Sequence, residues 1–182
     1  MKKLLLALSL LLTATTANAA DFIHDVTDTD NEFIIIRGEI GVGDAQKFQD
    51  LISKHPKTKS VVLNSNGGLV YEGMIIAAEV HDRELMTFIF NGDVCFSICA
   101  PIFFSGKEKF IQQEAYLGVH PARSTQTKLV SIDANALIAW YFGTLGYDLG
   151  LVELWISAKP DKLNFITAQI NLELNLGIKS ID

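Results

Sequence analysis

The segment VCFSICAPIFFSG (residues 94–106) places one serine midway between two cysteines, directly before an apolar run. A serine at a turn from strand to helix can act as a nucleophile, because the first backbone N–H groups of a helix are unpaired and point outward. The same pattern also fits a small residue inside a core that a disulfide stabilises. Whether Ser97 is a nucleophile or a structural residue therefore has to be judged from the surrounding sequence.

Apolar runs typical of strands alternate with helical patterns on both sides of this segment. The alternation indicates βαβ units and an α/β fold with a mostly parallel sheet covered on both faces. In such folds ligands bind beyond the carboxyl ends of the strands. After Asp133, two buried helices separated at Gly146 are predicted. The predicted strands cover residues 32–40, 59–65, 85–91, 109–112 and 115–120, and the predicted helices before Asp133 cover residues 44–55, with Asp44 as cap, 71–83 and 100–106.

The start of the chain has the three parts of a secretory signal peptide. Residues 2–3 are lysines, residues 4–12 are apolar, and residues 17–19 form an A-x-A cleavage site. The apolar run is shorter than the ~20 residues of a membrane-spanning helix, and no cysteine follows it to carry a lipid anchor. We therefore expect cleavage of residues 1–19, which leaves a single domain, residues 20–182, in the bacterial periplasm.

The net charge limits the possible partners. The sequence of 182 residues has a formal net charge of −6, which becomes −8 once the two signal lysines are removed. An acidic chain without a Lys/Arg cluster argues against nucleic acid or an anionic membrane as partner. Because no ATP pool is expected in the periplasm, an ATPase partner is not expected either.

Two features near Ser97 can supply what a serine nucleophile needs. The N–H of Ile98 and an N–H of the pair Gly67-Gly68 can hold a developing oxyanion, since a residue without Cβ lets a carbonyl approach closely. His120, 23 residues further on, ends another predicted strand and can act as the general base.

Three motifs, VVLNSNGGLVYEGMIIAAEV, CFSICAPIFFSGKEKF and YLGVH, together resemble the Clp-type serine peptidases of the Clp/crotonase superfamily, above all their exported, stand-alone relatives. The resemblance is good over residues 33–120 and looser elsewhere. It implies a Clp/crotonase-like βαβ superhelical core with C-terminal helices. It also implies Ser97 as nucleophile, His120 as base, and the amides of Gly68 and Ile98 as oxyanion hole. The matching residues are Asn64, Ser65, Gly67, Gly68, Gly73, Met74, Ser97, Gly106 and His120.

The resemblance leaves the third member of a catalytic triad open. The family position of the acid, two residues before an aromatic, corresponds to Leu163 in the segment PDKLNFITA. A backbone carbonyl that orients the His120 ring is one alternative. The side-chain alternatives are Asp161 and Asn164, and more remotely Asp148 and Asp133.

Cys95 and Cys99, one on each side of Ser97, are expected to form a disulfide in an oxidising compartment. Two alternatives stay open: a pair of buried free thiols, and a cysteine nucleophile that pairs with His120.

No metal or other cofactor is expected. Two cysteines and one histidine within reach fall short of the four ligands of a structural zinc site. The remaining histidines, His24, His55 and His81, are expected to be exposed to solvent.

The predicted function is that of an exported, ATP-independent serine hydrolase, a peptidase for short or unfolded peptides. Since Clp-type peptidases work as rings, the resemblance implies a homo-oligomer, with the helices after Asp133 as the expected contact. A non-catalytic protein that binds a peptide or partner in the same cleft is the alternative, favoured by the missing acid. A crotonase-like acyl-CoA enzyme is disfavoured, because export separates the chain from coenzyme A.

Overall fold

The computed structural model describes residues 19–27, 31–159 and 162–182. The basic start and apolar run of the predicted signal peptide, and Asp161, lie outside the described residues. Within the described ranges, no helix is both long and apolar enough to cross a membrane.

A six-stranded sheet forms the centre of the molecule. Five of its strands run parallel, and only the first strand at one edge is antiparallel to its neighbour. The isoleucine-rich second strand buries Ile34 and Ile36 completely on one face, whereas Phe33 and Ile35 on the other face are partly buried. The predicted α/β class with a mostly parallel sheet is confirmed. In spatial order the strands are β1 (Asp21–Val26), β2 (Glu32–Arg37), β3 (Ser60–Asn64), β4 (Met86–Ile89), β6 (Lys109–Gln112) and β9 (Ile178–Ile181).

A second, three-stranded sheet consists of β5 (Val94–Phe96), β7 (Tyr116–Val119) and β8 (Asn164–Phe165). β5 runs parallel to β7, and β8 is antiparallel to β7. Backbone hydrogen bonds from Ser65 to Val94 and from Phe96 to Ser65 connect β5 to the end of β3. The second sheet was not anticipated, because β5 is too short for its alternation to be visible in the sequence.

The five predicted helices agree with the structure to within a few residues, and a short sixth helix over residues 168–173 was not predicted. The third helix is short, and Pro101 lies in its first turn, where the missing N–H removes no intrahelical hydrogen bond. All of its residues are buried, so it forms the centre of the core. The helices are α1 (Asp44–Lys54), α2 (Val70–Asp82), α3 (Cys99–Phe104), α4 (Ile132–Thr144), α5 (Leu149–Ile156) and α6 (Ala168–Glu173).

Asp44 differs from its predicted role as helix cap. The N-cap of α1 is Gly43, and Asp44 is the first helical residue with a fully buried side chain. Its Oδ2 accepts hydrogen bonds from the backbone N–H of Ala20 at 2.9 Å and of Gly41 at 2.7 Å, and Lys47 Nζ lies 2.9 Å from Oδ1. The carboxylate therefore joins the segment directly before β1 to the loop before α1.

The predicted disulfide between Cys95 and Cys99 is confirmed, with the Cα atoms 5.2 Å apart. Since both cysteines of the chain are in this bond, the alternatives of free thiols or a cysteine nucleophile are excluded.

The expectation of solvent-exposed histidines holds for His81 but is wrong for His24 and His55. These two are partly buried, and their rings stack with centroids 3.5 Å apart. Pairing of β1 with β2 and packing of α1 bring them together, which no local pattern in the sequence reveals.

Candidate active site

Ser97 lies at the turn between β5 and α3 with a φ of 55°, in the left-handed region. This conformation costs an L-residue ~1–2 kcal/mol, so the surroundings must hold it. The Ser97 N–H donates to the Gly118 carbonyl at 3.0 Å, and the Ser97 carbonyl accepts from the Ala100 N–H at 2.9 Å. The disulfide brackets the same turn. Ser97 is half-buried rather than enclosed in apolar packing.

The glycine loop after β3 packs directly on this turn. A Cβ at Gly67 would lie 2.6 Å from the Ser97 Cβ and 3.1 Å from the Ile98 nitrogen. A Cβ at Gly68 would overlap the backbone of Ile40. Both glycines also have φ values in the left-handed region, 96° and 141°. The approach of the loop to the serine therefore requires glycine at both positions.

Two backbone N–H groups close to Ser97 have no hydrogen-bond acceptor among the described residues, although Ile98 is itself fully buried. Neither the Gly68 N–H nor the Ile98 N–H donates a hydrogen bond to any described residue. The Gly67 N–H, in contrast, donates to the Ser65 Oγ at 3.1 Å. Two unpaired amides next to a half-exposed hydroxyl are what an oxyanion hole requires. The role of Gly68 and Ile98 as an oxyanion hole stays a prediction.

His120 follows β7 and has its Nδ1 3.0 Å from the Pro121 carbonyl oxygen. Because a carbonyl oxygen only accepts, this contact assigns the proton to Nδ1 and leaves Nε2 as an acceptor. Burial lowers the pKa of His120 below 6.5, and the positive charge of Arg123 lowers it further, against an opposing effect of the Pro121 carbonyl. The ring is therefore neutral at neutral pH, as a general base must be.

Strand pairing brings Ser97 and His120 to the same end of the second sheet, beyond the carboxyl ends of β5 and β7. Phe96 pairs with Gly118, paired strands lie ~4.8 Å apart, and Ser97 and His120 follow these strands. Ser97 Oγ makes no hydrogen bond to His120 or to any other described residue. Catalytic hydrogen bonds are often long without substrate and tighten when it binds, so the missing contact does not by itself decide whether the two residues act as a pair.

A cleft of about 250 Å³ opens beside His120. Its walls combine apolar side chains with the cationic side chains of Arg123 and Lys162. Neither cation was predicted from the sequence. Arg123 follows His120 by three residues and Lys162 lies 42 residues away, so no spacing rule marks them as neighbours. The lining residues are Asn66, Phe96, His120, Arg123, Lys162 and Leu163.

No carboxylate orients His120 within the described part of the chain. Leu163 lines the cleft, as the family position implies, and its side chain cannot accept a hydrogen bond. Asn164 instead donates its amide to the end of α5, and Asp148 caps that helix. Of the remaining candidates, Asp133 lies in the first turn of α4 and Asp161 is outside the described residues. The Pro121 carbonyl takes the orienting position.

Substitution of Gly68 by alanine should destabilise the protein more than substitution of Gly92. Both glycines have positive φ, so both variants carry backbone strain, but a Cβ at Gly92 meets nothing within 4 Å. In Gly68→Ala the loop must also move away from Ile40, at an additional cost of ~2 kcal/mol. Urea unfolding of both variants measures the difference. An equal loss of stability would show that the loop is not tightly held.

Comparison with known proteins supports the fold but not a closer relationship. No family model and no curated protein sequence matches the chain. The structure of the 1510-N membrane-bound stomatin-specific protease, in a mutant form, is 15% identical with a TM-score of 0.60, covering 81% of this chain and 77% of that chain. A second mutant of that protease, in complex with a substrate peptide, is 15% identical with a TM-score of 0.59, covering 81% and 73%.

The catalytic domain of the ClpP protease from Plasmodium falciparum is 16% identical with a TM-score of 0.60, covering 81% of this chain and 83% of that domain. At this identity a structural likeness establishes the fold alone. The fold implied by the sequence motifs is confirmed: the chain has the fold of the Clp-type serine peptidases.

Proposed function

We propose that this protein is a serine hydrolase of the peptidase type, exported to the periplasm, which cleaves short or unfolded peptides without an ATPase partner. One observation carries the proposal. Ser97 lies at a strained turn, with the unpaired amides of Gly68 and Ile98 close by. The neutral imidazole of His120, with a free Nε2, lies at the same end of the second sheet.

The geometry supports an acyl-enzyme mechanism. Ser97 Oγ attacks the peptide carbonyl while His120 Nε2 accepts the hydroxyl proton, and the carbonyl oxygen becomes an oxyanion held by the Gly68 and Ile98 amides. The C–N bond then breaks as the imidazolium returns its proton to the leaving amine. Water, deprotonated by His120, attacks the ester and releases the acid and the free Ser97 hydroxyl.

The orienting group should make this enzyme slower than one with a full triad. The Pro121 carbonyl fixes the tautomer of His120, as a triad acid does, but it carries no full negative charge to stabilise the imidazolium. Arg123 disfavours the same charge. A substrate with an acidic group in the cleft would offset both effects, since Arg123 and Lys162 line it.

A non-catalytic role in peptide or partner binding is the second candidate. It is favoured by the absence of a carboxylate beside His120, among described residues, and of a direct Ser97–His120 hydrogen bond. Homo-oligomerisation is compatible with either function. Ile132 and Trp140 of α4 are 81% and 65% exposed, as side chains of a subunit contact would be in an isolated chain.

A fluorophosphonate probe should label the mature wild-type protein, because such probes react with activated serine hydroxyls. Labelling should fall at least 100-fold in Ser97→Ala and should be unchanged in Ser53→Ala, which alters an exposed serine of α1. Mass spectrometry of the labelled protein measures both. An unlabelled wild-type protein would favour the binding function.

The rate of labelling should rise with pH, with a midpoint below pH 6.5. Protonation of His120 removes the base, so reactivity is lost as the pH falls through its lowered pKa. In Arg123→Gln the loss of the nearby charge should raise the pKa, and the midpoint should move upward. The exposed Lys54→Gln serves as the control for removal of a distant charge. A midpoint at or above 6.5 in the wild type would show that His120 is not the base.

A further inference from the structure

Two histidines and a glutamate form a cluster outside the candidate active site. His24 belongs to β1, Glu32 to β2, and His55 is the residue that ends α1. His24 Nε2 lies 3.2 Å from Glu32 Oε2, and the rings of His24 and His55 stack with an interplanar angle of 15°. One potential ligand atom of each residue lies within 4.8 Å of the other two.

The backbone holds all three positions. β1 and β2 pair so that His24 is opposite Ile34, and Val26 is opposite Glu32. His24 and Glu32 are therefore diagonal neighbours on one face of the sheet. The His55 N–H bonds to carbonyls of the last turn of α1, and its carbonyl accepts from the Thr58 N–H. Ligands on paired strands and at a helix end keep their spacing better than ligands on a loop.

The chemistry of the cluster fits a borderline transition-metal ion. Two imidazoles and one carboxylate are the mixed nitrogen and oxygen ligands that Zn²⁺ accepts, whereas Mg²⁺ and Ca²⁺ prefer oxygen alone. Ligands at ~2.0–2.1 Å from a tetrahedral ion are separated by ~3.3 Å, close to the His24–Glu32 distance. The carboxylate and the carbonyl end of α1 also attract a cation, and His24 and Glu32 side chains are only 17% and 18% exposed.

We propose that His24, Glu32 and His55 bind one divalent transition-metal ion, Zn²⁺ foremost, with water completing the coordination. His55, at the helix end, closes the site by a small side-chain movement that separates the stacked rings. The ion would clip the edge strand β1 to α1. This proposal is independent of the chemistry at Ser97.

Zinc titration of the untagged mature chain, stripped of metal with EDTA, tests this site. We expect one equivalent of Zn²⁺ to bind by isothermal titration calorimetry, without a response to Mg²⁺ or Ca²⁺. Zinc at ~100 times its Kd should raise the ratio of folded to unfolded chains about 100-fold, which a thermal melt reports as a higher Tm.

The variants His24→Gln, Glu32→Gln and His55→Asn should each weaken binding at least tenfold, while His81→Ala and His120→Ala leave it unchanged. Their metal-free Tm values show whether each variant still folds. No binding at ~100 μM Zn²⁺, or binding that survives the double variant of His24 and His55, would overturn the proposal. The cluster would then be a structural one, in which His24 stacks on His55 and hydrogen-bonds Glu32.

A second observation concerns the N-terminus of the mature chain. The Ala20 nitrogen donates to the fully buried Asp44 carboxylate, and Ala20 itself is only 4% exposed. Cleavage after Ala19, as the A-x-A motif predicts, would convert this amide into an α-ammonium. The hydrogen bond to the buried Asp44 carboxylate would then come from a charged ammonium instead of a neutral amide, which makes it stronger.

The same carboxylate supports the loop that carries the oxyanion hole. Asp44 Oδ2 also accepts from the Gly41 N–H. The preceding residue, Ile40, donates to the Gly67 carbonyl at 2.7 Å and accepts from the Leu69 N–H at 2.9 Å. Hydrogen bonds, together with the peptide bond between Ile40 and Gly41, thus connect the Ala20 nitrogen to the residues on both sides of Gly68.

We infer that signal cleavage locks the glycine loop through an Ala20–Asp44 ion pair, an inference that rests on the proposed export and hydrolase function. Two forms of the chain test it: one that starts at Ala20, and one that retains residues 17–19. The form that starts at Ala20 should have the higher Tm and should react with fluorophosphonate at least tenfold faster. Asp44→Asn should remove both differences, whereas Asp50→Asn, on the exposed face of α1, should not.

The Tm comparison separates this inference from the hydrolase proposal. A difference in Tm that depends on Asp44 supports the ion pair even if neither form is labelled. Equal Tm values for the two forms, or an exported protein whose first residue by mass spectrometry is not Ala20, would overturn it.

Discussion

The close contact between the glycine loop and the Ser97 turn is the constraint on which the candidate site depends. Gly67 approaches the serine so closely that a single methyl group would collide with it. This contact places one unpaired amide from the loop beside another from the start of α3. Because both amides belong to the backbone, their positions follow from the fold and cannot be supplied by side chains. In the proposed mechanism, these amides hold the negative charge that develops on the substrate.

The strain at Ser97 shows how the surroundings hold this arrangement. A left-handed φ is unfavourable for serine, yet the turn is held by a strand hydrogen bond, by the first turn of α3 and by a disulfide across it. In an exported protein a disulfide can persist where thiols inside a cell would stay reduced. The neutral His120, oriented by a carbonyl instead of an acid, completes a site with little negative charge of its own.

Residues 20–26, which lead into and form β1, contact α1 and the residue that caps its C-terminal end. β1 is the antiparallel strand at one edge of the six-stranded sheet, and two features not explained by the Clp-type fold lie on it or directly before it. At one end Ala20 contacts the buried Asp44, and further along His24 meets Glu32 and His55. Both features attach the edge strand to α1.

The sequence by itself determined the alternating strands and helices, the glycine pair, the serine turn and the histidine after β7, because each is encoded by neighbours along the chain. Period-2 and period-3.6 patterns, turn residues and ordered motifs are local properties. They were sufficient for the fold class, and they single out Ser97, Gly68, Ile98 and His120 as the candidate site, whose catalytic role stays a prediction.

Only the tertiary structure decided which distant residues meet. The second sheet, the cations of the cleft, the burial of Asp44 and the cluster around His24 all depend on contacts between residues far apart in sequence. Such contacts arise from strand order and helix packing, which no local periodicity specifies. Pro121 directly follows His120, but the contact between its carbonyl and the ring depends on how the ring is turned, which only the structure shows.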